Sequence, residues 1–213
     1  ELEAVGTLID RRVDGLLLTV ADASDSPALI KAKAAGVQTV LMFNDATAPV
    51  PAAASDNHAA GAAVGALLAE TGRHHVGFVA GRFATSDRSR RRFEGLREAL
   101  STRDCQDPAL VEVDYTATGH RAALERLFAA RPSIDALVCS NDMLALAIIA
   151  ELRGMERRCP EDVAVVGFDG LALGTMVEPT LASVAMPNRA MGSQAAALLL
   201  RTIDENEAPT AAP

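Results

Sequence analysis

Three observations predict an α/β fold built from two doubly wound parallel-sheet lobes. Short apolar runs alternate with longer segments of helical spacing along all 213 residues, the pattern of parallel strands joined by crossover helices. Aromatic residues make up only 3%, with no Trp and one Tyr, so Ala, Val and Leu must build the core, which favours helix layers on a parallel sheet. Finally, the apolar run Val163–Phe168 ends abruptly in Asp169, a carboxylate between Gly167 and Gly170. In open α/β sheets ligands bind outside the carboxyl ends of the strands, so an acid there is placed to meet one.

In chain order, Val13–Thr19 reads as a strand, Pro27–Ala35 as a helix closed by Gly36, and Val37–Phe43 as a second strand. A Pro- and Ala-rich connection at 46–54 follows, then a helix over Asn57–Thr71 closed by Gly72 and a strand at Val76–Ala80 ended by Gly81. The rhythm repeats with a helix from about Arg88 to Leu100, a strand Leu110–Val113, a helix Thr118–Ala130 and a strand Ala136–Cys139. A helix Met143–Arg153, the strand Val163–Phe168, a short strand Leu181–Ala185 and a last helix from Pro187 to about Glu205 complete the series. The amino-side lobe is expected at residues 1–81 and again at 188–213, with the carboxyl-side lobe at 82–187.

Polar residues gather where strands end. Asp56-Asn57 precedes a helix, Asn141-Asp142 follows the strand ending at Cys139, and Asp169 follows the strand ending at Phe168. Each has a structural alternative: Asp beside Gly is turn chemistry, and Asn or Asp at a helix start is a favoured cap worth about 1 kcal/mol. Asp142 is read as a cap. In Ser86–Arg92, Arg88 and Arg92 are four residues apart and share one helix face, offering a fork of donors suited to a carboxylate or vicinal hydroxyls; Arg90 and Arg91 point elsewhere, to solvent. Tyr115, after the strand Leu110–Val113, offers an apolar platform with a polar end or, equally, a core ring.

Several function classes are excluded or unsupported. There is no Walker loop, GxGxxG, GxSxG or HExxH, so no phosphate cradle, dinucleotide fingerprint, hydrolase elbow or zinc-protease site is indicated. The histidines, His58, His74, His75 and His120, include one adjacent pair that shares no face on a helix or strand, so no metal is expected, and no cofactor is implied. A formal net charge of −8 opposes nucleic-acid binding by this surface. Cys105, Cys139 and Cys159 have no CxxC spacing and are expected to be reduced thiols of a cytoplasmic protein. No apolar run reaches the roughly 18 residues of a membrane span, and the first residues lack a secretory pattern. The chain opens on Glu1, so an upstream start is expected.

Six motifs in order carry a resemblance: Val13-Asp14-Gly15-Leu16-Leu17-Leu18, Asp56-Asn57-His58-Ala59-Ala60-Gly61, Arg88–Gly95, Ser140-Asn141-Asp142-Met143-Leu144-Ala145-Leu146, Pro160–Gly170 and Glu178-Pro179-Thr180-Leu181. Together they resemble the effector-binding core of lactose-repressor-type transcriptional regulators over nearly the whole chain. The resemblance implies a periplasmic-binding-protein-like fold, a small effector held between two lobes, and a homodimer. Residue by residue, Asp56, Arg92, Asn141 and Asp169 fall on positions that commonly contact the effector, Tyr115 near a stacking position, and Arg88 on a slot often held by a small hydroxyl residue. The Asp87-Arg88 pair with Arg92 resembles members that respond to sugar acids such as gluconate, whereas Met186 departs from a Gln found in many members. The resemblance also implies a helix-turn-helix headpiece and a first strand, helix and strand before Glu1, leaving the amino-side lobe incomplete with an exposed sheet edge, and a further strand after the Ala- and Pro-rich end at Glu207–Pro213. DNA binding would belong to that headpiece, switched by an effector-driven population shift. The alternatives are a periplasmic sugar-binding protein of a transporter and, on the principle that fold does not determine function, a hydrolase or isomerase.

Overall fold

The computed structural model describes residues 1–45, 49–115 and 119–207. Among them, helix and parallel strand alternate in the order α1 (Leu2–Asp10), β1 (Gly15–Leu18), α2 (Pro27–Ala34), β2 (Gln38–Met42), β3 (Ala52–Ala53), α3 (Asn57–Glu70) and β4 (Val76–Ala80). There follow α4 (Asp87–Ser101), β5 (Ala109–Glu112), α5 (Arg121–Ala130), β6 (Ala136–Cys139), α6 (Asp142–Gly154), β7 (Ala164–Asp169), β8 (Ala182–Ala185) and α7 (Asn188–Glu207). Every expected strand and helix is present to within a few residues. The expected helix start at Thr118 lies outside the described residues, as do 46–48 of the connection and 208–213 of the Ala- and Pro-rich end.

The chain divides into two compact units. The first holds Glu1–Ser55, Ala84–Arg88 and the chain from Pro187 onward. Its sheet has the order β1-β2-β3, parallel throughout, with Leu17 opposite Val40 and Met42 opposite Ala53. One face is covered by α1 and α2: Val5, Leu16, Ala28 and Ala32 form one buried cluster. The other face carries α7, whose Ala195 is buried against Val40 and Ala53. Gly15 belongs to this contact, since a Cβ there would lie 2.8 Å from Leu199 Cδ1. The two-residue β3 falls inside what reads in the sequence as a connection. Two residues between prolines and alanines carry no period, and only pairing to β2 makes them a strand. Helix α1 likewise has no expectation behind it. It needs the partner α2 to bury Val5.

The second unit holds Asp56–Phe83 and Ser89–Met186. Its five strands run in the order β5-β4-β6-β7-β8, all parallel. The apolar runs divide by strand alternation between two helix layers. Val76, Phe78, Ala80, Ala136, Val138, Val166 and Phe168 pack under α3 and α4, while Val79, Leu137, Cys139 and Val165 pack under α5 and α6.

This sheet moves one expected boundary. Val76–Ala80, taken from the sequence as the end of the amino-side lobe, is hydrogen-bonded on both sides within the second sheet, so the first crossing falls between Ser55 and Asp56 instead of after Gly81. A strand's neighbours are set by pairing far along the chain, and a local reading of turns carries no information about them.

Candidate functional site

In the second unit the site is built from the carboxyl ends of β4, β6 and β7 and the amino end of α3 and α4. Arg92 is 7% exposed. Its Nε donates to Asn57 Oδ1 (2.9 Å), its Nη1 donates to the Ser140 carbonyl (2.6 Å), and its guanidinium carbon lies 4.5 Å from the centre of the Phe168 ring. Three elements therefore aim one cation. Glycines make this possible. A Cβ on Gly61 would collide with the Arg92 carbonyl, and one on Gly95 with the His58 carbonyl, so α3 and α4 meet backbone to backbone at the turn that bears Arg92.

Tyr115 is 46% exposed, which removes the core-ring alternative. Its ring lies against Gly81, where any Cβ would overlap it, and its hydroxyl is 2.5 Å from Ser140 Oγ. Ser140 thus joins Arg92 and Tyr115, through its carbonyl and its hydroxyl respectively. Asn141 caps α6, its Oδ1 accepting from the Leu144 N–H at 2.8 Å. Asp56 caps α3 through the Ala59 N–H at 2.8 Å. Asn57, a candidate cap in the sequence, is instead buried at 2% exposure against Arg92.

Asp169 closes β7 in a rare conformation, φ +119°, followed by Gly170 at +69°. Side-chain-bearing residues seldom adopt positive φ, and such strain, of order 1–3 kcal/mol, concentrates at functional sites. Burial holds its carboxyl above the usual carboxylate range; the Arg92 guanidinium and the Asp142 backbone N–H pull it back, and the Asp142 side-chain charge pushes it further up.

Asp142 corrects its sequence reading. It is not the cap, which is Asn141, but a fully buried acid at the first position of α6. The signal for it was Gly167, a glycine in mid-strand that marks a close approach. A Cβ there would strike Asp142 Oδ1.

Arg88 lies in the first unit. Its Nη1 donates to the Val20 carbonyl at 3.0 Å and lies 3.5 Å from Asp87 Oδ1. Around it is a knot that the sequence did not announce. Asn44, fully buried, exchanges two hydrogen bonds with the Val20 backbone (2.9 and 2.8 Å) and donates to Asp87 Oδ2 at 2.8 Å. That same oxygen accepts from the Ala23 N–H, while the Asp87 N–H donates to the Ala21 carbonyl. The carboxylate of Asp87 is therefore occupied in joining the ends of β1 and β2 to the start of α4. Of the six candidates, Arg92, Tyr115, Asn141 and Asp169 come together around Ser140 and the β7 end, with Asp56 one residue from Asn57; Arg88 belongs to the other unit.

Among the described residues no group of three His, Cys, Asp or Glu side chains could hold a metal ion. His74 Nδ1 contacts Cys105 Sγ at 3.3 Å and His58 pairs with Glu98 at 3.1 Å. Cys139 is buried in the sheet, and burial drives its thiol far above the ordinary range. No described helix is long and apolar enough to cross a membrane.

Residues 66–212 match the periplasmic binding protein-like domain family, and the chain belongs to it. The expected core of lactose-repressor type is borne out by the relatives it matches. The HTH-type transcriptional regulator CelR of Thermobifida fusca is 34% identical over 203 residues, covering 93% of this chain and 59% of that protein. The HTH-type transcriptional regulator GntR of Escherichia coli K12 is 27% identical, covering 95% and 61%. The solved CelR–cellobiose complex superposes with a TM-score of 0.82 at 30% identity, over 96% of this chain and 63% of that one. The transcription regulator GntR from Chromobacterium violaceum does so with a TM-score of 0.82 at 29% identity, over 96% and 75%. The chain spans about three fifths of the length of these curated relatives.

Proposed function

We propose that this chain is the effector-binding and dimerisation core of a transcriptional regulator, taking a small sugar or sugar acid and controlling operator binding through a helix-turn-helix headpiece outside this sequence. The observation that carries the reading is the convergence of Arg92, Tyr115 and Asp169 on the strand ends around Ser140. A carboxylate accepts hydroxyl hydrogens, a half-exposed ring meets the apolar face of a pyranose, and a pinned guanidinium suits vicinal hydroxyls or a carboxylate. We assign Asp56, Arg88, Arg92, Tyr115, Asn141 and Asp169 to effector contact. The relatives, regulators by name and one of them solved with cellobiose, support a regulator over a transporter's binding protein and over an enzyme. A cytoplasmic homodimer reaching DNA only through the headpiece follows from the same reading, and an effector would act by favouring one of two states of the dimer.

The test is a thermal-shift and calorimetric panel of D-gluconate, D-glucose, D-ribose, cellobiose and nucleosides. A ligand at 100 times its Kd stabilises by about 2.7 kcal/mol. A hit lost in Asp169→Ala and in the exposed Tyr115→Ala supports the site. Neutral hexoses outperforming gluconate would remove the sugar-acid preference, and silence from folded protein would remove the sugar class altogether.

A further inference from the structure

The acid that no ligand role explains is Asp142. Its side chain is fully buried beside Gly167, whose lack of a Cβ makes room for it. Oδ2 accepts from the Leu171 N–H at 2.7 Å, and Oδ1 lies 2.5 Å from Ser183 Oγ. Ser183 Oγ itself accepts from the Gly170 N–H at 3.0 Å, so its own hydrogen is directed at Asp142 and both carboxyl oxygens act as acceptors. The Met186 N–H donates to the Asp169 carbonyl at 3.4 Å. The backbone that leaves β7 through two successive positive-φ residues is thus held at Gly170 and Leu171 by one buried side chain and its serine relay. Strained backbone persists only where its surroundings over-determine it.

We infer that Asp142, with Ser183, is a positioning residue that holds the Asp169–Gly170–Leu171 turn and thereby sets the aim and the charge of the Asp169 carboxylate. The first effect runs through the Gly170 and Leu171 amides. The second is electrostatic: Asp169 faces Arg92 from α4 and Asp142 from α6, and these two charges oppose each other upon it. The consequence for effector affinity rests on the reading of Asp169 as a ligand contact, but the positioning itself can be measured without ligand.

The experiment compares the wild-type chain with Asp142→Asn and Ser183→Ala by amide hydrogen exchange and by NMR titration of the Asp169 carboxyl carbon. Asp142→Asn, which replaces one of the two acceptor oxygens by an NH2 donor, is expected to speed exchange at Leu171 and, through the weakened Ser183 relay, at Gly170 by about tenfold, and to move the Asp169 midpoint to lower pH, because a neighbouring negative charge is gone. Ser183→Ala should speed Gly170 more than Leu171 and leave the midpoint where Asp142 holds it. A merely structural acid would raise exchange throughout α6 and β7 without moving that midpoint. Unchanged amides and an unchanged midpoint in folded Asp142→Asn overturn the inference; if that variant does not fold, the selective effect of Ser183→Ala at Gly170 decides it. A calorimetric arm with D-gluconate separates the two readings. If the wild type binds no sugar, the effector assignment falls while the amide and titration results still decide the role of Asp142.

Discussion

Asp169 is a partly buried carboxylate whose charge costs the fold stability at neutral pH. Its folded-state pKa is raised, chiefly by burial, so the proton is held more tightly in the folded chain. The contribution is therefore favourable below the unfolded value and is lost as pH rises through the folded one. At neutral pH the apo chain bears the cost of a desolvated charge. Asp169→Asn is accordingly expected to raise the melting temperature at pH 7 while abolishing effector binding, and a lower melting temperature would contradict this sign. In the wild type, effector affinity should fall on acidification at a pH above that of an ordinary Asp, read by calorimetry across pH 4 to 7. Phe168, its fully buried neighbour, lies beneath the Arg92 guanidinium. Phe168→Ala should cost about 3–5 kcal/mol in chemical denaturation. Arg92→Lys, which keeps charge but not the fork that reaches the buried Asn57 and Ser140, should weaken binding and cost about 1–3 kcal/mol of stability.

Helix contacts decide where these side chains sit. The α3–α4 contact depends on Gly61 and Gly95, each of which abuts a backbone carbonyl that cannot swing away. Gly61→Ala should destabilise by about 1–3 kcal/mol through overpacking. It should also weaken effector binding, because the obstructed carbonyl is that of Arg92. By contrast Gly192, with nothing near its missing Cβ, should accept Ala without loss and is the control. Denaturation midpoints of the two variants check both statements. Glycines in helices are readable in the sequence; which of them face another backbone is not, because that depends on the helix that comes to lie across them.

At the scale of the whole molecule, each unit has its own sheet covered on both faces by helices. The central strands β4 and β6 of the second unit are buried along their full length and paired on both sides. Their amides are expected to be the slowest to exchange, with those of the edge strands β1, β5 and β8 faster, and hydrogen-exchange mass spectrometry would reveal the opposite order if it held.

The alternation of apolar runs with helical segments, the glycine and cap chemistry between them and the acids at strand ends are local properties, so the fold class, the element order apart from α1 and β3, and Arg92, Tyr115, Asn141 and Asp169 as candidates could be read from residue types. Pairing is not local. That Val76–Ala80 joins the second sheet, that Asn57 rather than Asp56 meets Arg92, and that Asp142 is a buried anchor instead of a cap depend on segments tens of residues apart, and only the packed chain brings those together. The physical reason is that periodicity and capping report a residue's immediate neighbours along the backbone, whereas burial, strain and charge at a site are set by whichever strand or helix lands beside it.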